Sequence, residues 1–189
     1  MTISAVLLAG GKSSRMGQDK ATMLFQGTPL WKIQLDLLYQ LQPAEIFVSA
    51  QVDPGWRPPD VDLVSDDQPS RGPLGGIAAT LARIATDHLL VLGIDMPFMT
   101  EKYLRKLCAR IEPGRGVVPI IDDRAEPLAA LYPRDAGPEF LRALSSNDFS
   151  LQPLVRGLIA LGKLQPLEVA PEELALFRNL NEPHDLEPA

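Results

Sequence analysis

One cysteine in 189 residues, Cys108, excludes an internal disulfide framework and any zinc centre built from several thiolates. The two histidines, His88 and His184, stand far apart with no partner at metal-ligand spacing. No uninterrupted apolar run approaches the ~18 residues that a membrane-spanning helix needs, and no basic, apolar, small-residue leader opens the chain. Positive charge is also scarce. Eighteen Lys and Arg face 24 Asp and Glu, a formal net charge of −6. General nucleic-acid and membrane-surface binders present a basic face, so neither class fits. These absences lead us to expect a cytoplasmic protein that contacts neither nucleic acid nor membrane, and separately we expect it to act as a monomer. An acidic protein still binds a polyanion locally, through a few cations, backbone N–H groups and a divalent metal.

What is present is an ordinary globular balance, 46% hydrophobic and 22% charged, enough for one domain with a sizeable core. Residues 3–9 form an apolar run that predicts a short buried strand. Residues 30–41 carry Leu30, Ile33, Leu37, Leu38 and Leu41 at helical spacing, with Pro29 suited to the first turn and Thr28 to the cap. Residues 45–50 and 62–64 read as strands on either side of a Pro-rich loop that contains Trp56. Residues 73–84 read as a helix, and 88–94 as the most continuous strand, of the kind covered on both faces in parallel sheets. A helix capped by Thr100 follows to about residue 111. Residues 116–121 and 127–132 are strand candidates around a polar turn. The remainder reads as helices over 138–144 and 152–161, a strand over 165–169 and a short helix over 171–176. Trp31 reads as a helix core residue, Trp56 as a loop anchor and Cys108 as packed. Alternating elements of this kind predict an α/β three-layer sandwich, with a mostly parallel, Rossmann-like sheet and helices on both faces. Right-handed crossovers gather the strands' carboxyl ends along one edge, where such sheets bind ligands.

Three polar clusters follow predicted strand ends. The first is Gly10 to Lys20, where two glycines stop the strand and Lys12, Arg15 and Lys20 follow within nine residues of Gly11. Glycines admit a ligand to backbone N–H groups, and cations balance its charge, so the loop reads as a phosphate cradle. It is not a P-loop, because Val6 stands where that motif needs its first glycine. It is not a dinucleotide fingerprint either, because G-x-G-x-x-G is absent. The second cluster is Asp95, a carboxylate that ends an almost wholly apolar strand. There it needs solvent, a partner or a metal, and Mg²⁺ takes one or two carboxylates plus substrate phosphates. The third runs from Asp66 to Gly76. Asp66 and Asp67 are equally good candidates to meet a ribose or the metal environment. Gly75 and Gly76 serve either close approach to a ligand or tight helix–sheet packing.

The opening Leu8-Ala9-Gly10-Gly11, Arg15-Met16-Gly17 and Asp19-Lys20 matches nine letters of the thirteen-position nucleotidyltransferase signature L-A-G-G-x-x-x-R-M-G-x-D-K. With Gly72-Pro73-Leu74-Gly75-Gly76, Asp95-Met96-Pro97, the segment Glu126 to Tyr132 and Asn179-Leu180-Asn181, the chain resembles the MobA-like nucleotidyltransferases, the molybdenum cofactor guanylyltransferases in particular, over nearly its full length. The resemblance implies residues 1–100 as a nucleotide-binding half and 101–189 as an acceptor-binding half. It implies GMP transfer from GTP to the terminal phosphate of molybdopterin, with Mg²⁺ as cofactor and pyrophosphate released. Leu8, Ala9, Gly10, Gly11, Lys20 and Asp66 would hold the nucleotide, with Ser49 at a position where the family often has Asn. Asp95 would hold Mg²⁺, Arg15 and Lys20 would balance charge, and Asn179 and Asn181 would face the pterin. Transient contact with molybdopterin-synthesis proteins or target molybdoenzymes also follows from it. Rival readings are a cytidylyltransferase on the same pterin, a sugar-phosphate nucleotidyltransferase, and a non-catalytic GTP-binding module that docks molybdoenzymes.

Overall fold

The computed structural model describes residues 1–10, 19–65, 71–146 and 148–180. The expectations placed on Gly11, Lys12, Arg15, Asp66, Asp67, Asn181 and His184 lie outside those residues.

In chain order the elements are β1 (Ile3–Leu8), β2 (Leu24–Phe25), β3 (Thr28–Pro29), α1 (Leu30–Gln40), β4 (Glu45–Ala50), β5 (Asp62–Ser65), α2 (Gly72–Leu81), β6 (His88–Gly93), α3 (Glu101–Cys108), β7 (Gly116–Ile121), β8 (Arg124–Ala125), β9 (Ala129–Pro133), α4 (Gly137–Leu144), α5 (Leu151–Ala160) and β10 (Leu164–Glu168). Single 3₁₀ turns occupy Lys20–Thr22 and Arg134–Ala136, and a longer one Pro171–Phe177. The main sheet runs β10-β7-β9-β6-β1-β4-β5, with β8 paired to β7. Strand β1 is central and parallel to both neighbours, β4 and β6.

Alternate residues of the sheet feed two cores, as a period-2 element covered on both faces requires. Ala5 and Leu7 of β1 join Leu90 and Leu92 of β6 under α1 and α3. Val6 and Leu8 join Leu89 and Val91 under α2, α4 and α5. Helix α3 starts as its sequence predicts, with the Thr100 hydroxyl accepting from the Tyr103 amide at 3.3 Å.

Two local readings are corrected by the structure. Thr28 does not cap α1. Thr28 and Pro29 instead pair antiparallel with Leu24 and Phe25, and extended Pro29 is the residue before the helix, with no side-chain cap. The short hairpin uses the backbone that a cap would need. Trp31 is only partly buried, because it stacks on Trp56 across the Pro-rich loop, ring centroids 5.5 Å apart and planes 12° from parallel. The segment after β7 also reverses direction. Asp122 and Asp123 both take positive φ, 47° and 61°, as a two-residue hairpin turn demands. Strand β9 then enters between β7 and β6, antiparallel to both. That reversal returns the start of β9 to the edge where the parallel strands end, since Leu92 pairs with Ala129.

Gln34 is wholly buried on the core face of α1, between Leu30 and Leu38, and among the described residues neither of its amide atoms has a hydrogen-bond partner. A buried, unsatisfied amide costs stability that an apolar side chain of the same shape does not. Gln34→Met should therefore raise unfolding free energy by about 1–2 kcal/mol and the melting temperature by about 3–6 °C in thermal denaturation. Burial at the end of α3 pushes the Cys108 thiol up to about 11 from an ordinary 9, with Arg105 opposing. The raised value leaves less thiolate in the folded chain. Iodoacetamide at pH 8 should alkylate native Cys108 about a hundredfold more slowly than the urea-unfolded chain, and the native rate should climb with pH until about 11.

Candidate active site

The site forms where β1, β4 and β6 end together. Past the strands, the Ala9 amide donates to the Ser49 carbonyl at 3.0 Å, and the Ile94 amide donates to the Leu8 carbonyl at 3.2 Å. These bonds hold Ala9, Ser49 and Asp95 at one edge of the sheet. Gly10 is exposed there. A Cβ on it would meet only ordinary contacts, 3.8 Å from the Ser49 carbonyl oxygen, and its φ is not positive. Neither packing nor conformation within the described residues demands a glycine at this position.

Lys20 is positioned by its neighbour. One carboxylate oxygen of Asp19 accepts from the Ala21 amide at 3.0 Å and caps the turn that Lys20 begins. The other accepts from the Trp56 indole N–H at 3.3 Å. Trp56 in turn lies on Trp31, so the Pro-rich loop after β4 is tied to the opening motif. Ala9, Gly10, Asp19, Gln51, Pro54 and Trp56 line a small cleft of about 170 Å³. The Lys20 ammonium donates to Asp95 Oδ2 at 3.1 Å, with both side chains about one-fifth exposed.

Asp95 needs the glycine two residues before it. A Cβ on Gly93 would lie 3.0 Å from Asp95 Oδ1 and 3.4 Å from Leu128 Cβ, so the bare position leaves room for the carboxylate. The Asp95 carbonyl accepts from the Leu180 amide at 3.0 Å, which draws Asn179 to the same edge from near the end of the described chain. Asn179 is exposed and, with Met96, Arg124, Glu126, Leu128 and Gln152, lines a second cleft of about 450 Å³.

Glu126, which the sequence offers only as part of a motif, lines this cleft. Burial raises its carboxyl above the ordinary carboxylate range, the Asp95 charge adds to the rise, and Arg124 offsets part of it. Its signal in the sequence is an acid directly before an apolar strand. Trp56 and Asp19 were likewise seen singly, and their contact joins elements 37 residues apart.

Ser49 is 4% exposed, and its hydroxyl is turned toward α2. A Cβ on Gly76 would stand 2.3 Å from Ser49 Oγ and 3.2 Å from Leu8 Cδ2. Tight helix–sheet packing therefore accounts for Gly76. His88 is buried at the opposite end of its strand, with Nε2 3.2 Å from the Arg115 carbonyl oxygen.

Among the described residues no three His, Cys, Asp or Glu side chains converge as a metal cage. Asp95 is a single carboxylate, part-exposed and paired with a cation. That donor set fits an ion such as Mg²⁺, which keeps water and takes its remaining ligands from a substrate's phosphates.

Residues 5–163 match the family model described as the MobA-like NTP transferase domain. The molybdenum cofactor guanylyltransferase of Syntrophotalea carbinolica is 32% identical over 188 residues, covering 97% of this chain and 89% of that protein. A Deinococcus radiodurans protein named "Probable molybdenum cofactor guanylyltransferase" is 32% identical over 197 residues, covering 98% of this chain and 93% of its own. Molybdopterin-guanine dinucleotide biosynthesis protein A of Archaeoglobus fulgidus has a similar fold, with a TM-score of 0.77 at 23% identity over 97% of this chain and 94% of that one.

The Asp19 link is testable directly. Trp56→Phe keeps a ring on Trp31 but removes the indole donor, so the turn at Lys20 should open more often. Amide hydrogen exchange at Ala21 should quicken by about three- to tenfold, while that of Leu7 in the central strand stays unchanged.

Proposed function

The chain belongs to the MobA-like NTP transferase family, and from that premise we propose that it transfers GMP from GTP to the terminal phosphate of molybdopterin. The names of its relatives support the choice of reaction. The single observation that carries it to particular residues is the Lys20–Asp95 pair. Lys20 follows Asp19, which lines the small cleft, and Asp95 precedes Met96, which lines the larger one. A cation and a carboxylate thus meet between a donor side and an acceptor side.

In the proposed reaction an oxygen of the pterin's phosphate attacks the α-phosphorus of GTP. The bond from that phosphorus to the α,β-bridging oxygen breaks, and pyrophosphate leaves with the electron pair. A phosphate monoester is already an adequate nucleophile, so no general base is needed. The chain's task is then to position two anions and offset their charge. Backbone groups of Leu8, Ala9 and Gly10 hold the nucleotide at the strand edge, and Gly11 and Asp66 would bind it too. Lys20, held by the Asp19 cap, lies against the triphosphate, and Arg15 adds a second cation. Asp95 would hold Mg²⁺, which neutralises phosphate charge when bound. Asn179 and Asn181 would bind the acceptor. The proposal has a monomer act in the cytoplasm, and among the described residues no helix is long and apolar enough to cross a membrane.

The test is thermal stabilisation by GTP, CTP, ATP and UTP with Mg²⁺, followed by turnover with molybdopterin and detection of pyrophosphate. GTP should stabilise most and be turned over. Absence of pyrophosphate release from GTP in the wild-type chain would sink the reading. Asp95→Asn should melt within about 2 °C of wild type and lose at least about a hundredfold in transfer rate.

A further inference from the structure

Six acids among the described residues are partly buried: Glu45, Asp95, Glu101, Glu126, Glu139 and Glu173. Five have a donor. Glu45 accepts from Ser4, Asp95 from Lys20, Glu101 from Arg105, Glu139 from Lys163 and Glu173 from Lys106. Among the described residues Glu126 has neither a hydrogen bond nor an ion pair to its carboxylate, and the nearby Arg124 acts on it only at a distance. Partly buried carboxylates are ordinarily satisfied, so one that is not, facing a cleft, is suited to a ligand that brings donors.

The backbone around Glu126 is built to hold still. Its amide donates to the Pro119 carbonyl at 2.9 Å, and its carbonyl accepts from the Ala129 amide at 3.2 Å. The preceding Ala125 is bonded through both its amide and its carbonyl to the Gln152 side chain, at 3.3 and 2.8 Å. Glu126 therefore stands on the cleft wall from a fixed base, and Asn179 lines the same cleft.

A carboxylate presents two acceptor oxygens in one plane and best matches two N–H donors side by side. An amino-pyrimidinone ring offers that edge, as a ring N–H next to an exocyclic amino group. Pterin and guanine both carry it. Glu126 lies in the cleft with Asn179, whereas Gly10 and Asp19 line the other cleft. We infer that Glu126 reads the amino-pyrimidinone edge of the acceptor's pterin and determines specificity for it. This inference rests on the acceptor side of the function proposed above.

Calorimetric binding of 6-hydroxymethylpterin and 6-hydroxymethyllumazine tests it, because lumazine replaces the 2-amino group by a carbonyl, with a proton on N1, and so lacks the amino donor beside N3–H. The full-length wild-type chain should bind the pterin about tenfold or more tighter than the lumazine. Glu126→Gln should lose about tenfold in pterin affinity and most of the discrimination. Its melting temperature, its affinity for GTP over ITP and its Mg²⁺ requirement should remain those of wild type. Equal binding of pterin and lumazine by the wild type overturns the inference, even if GMP transfer proceeds. A Glu126→Gln variant that instead loses GTP over ITP discrimination, or needs more Mg²⁺, overturns it in favour of the guanine or the metal. Pterin discrimination that depends on Glu126 in a chain that transfers no GMP upholds this inference and rejects the reaction.

Discussion

Strand β1 is the constraint on which the rest depends. It is hydrogen-bonded along both edges and covered on both faces, with Ala5, Val6 and Leu7 fully buried. A strand so enclosed cannot slip by one residue without exchanging the two cores it feeds. The bonds just past its end, from Ala9 to Ser49 and from Ile94 to Leu8, inherit that fixed register. The polar groups of the site are thus placed by an apolar element that contributes no chemistry of its own. Burying a strand of this kind contributes on the order of 2 kcal/mol per large aliphatic side chain, which makes the edge a rigid base for a less constrained loop.

Among the described residues, the cation and the carboxylate at the strand edge are already paired before any ligand arrives. The Lys20 ammonium spends its charge on Asp95, and Asp19 is held by an amide and an indole. In a chain with a net charge of −6, this arrangement keeps a cation local without a basic surface. A phosphate that reaches Lys20 must compete with a carboxylate, and a divalent cation on that carboxylate would free the ammonium to meet it. The same pairing makes a lone anion a poorer match than an anion that arrives with its metal.

Much of this was legible in the residues. The parallel core declared itself through continuous apolar runs such as residues 88–94, and Asp95 stood out because a carboxylate at such a strand's end needs a reason. Thr100 declared its helix because a cap is a local event. Less legible were features decided by distant partners. The direction of β9 depends on Asp122 and Asp123 both adopting left-handed backbone, which no apolar pattern reports. Thr28 has the chemistry of a cap but is taken by a hairpin partner. Gln34 occupies a core position that polarity argues against. Glu126 and the Trp56–Asp19 contact require knowing which loops share an edge. Gly75 and Gly76 were ambiguous because close packing and ligand approach ask the same thing of a residue, and only the distance from Gly76 to Ser49 decides the one case that is decided.

The two stacked tryptophans have a separate consequence. The chain contains two tryptophans and no more, and both sit in a single face-to-face pair with one ring on the wall of the small cleft. All of the chain's indole emission therefore originates from one stacked pair, ring centroids 5.5 Å apart, beside the candidate site. The protein carries its own optical probe, spectrally separable from its three tyrosines, and a change in that signal reports on this corner of the molecule.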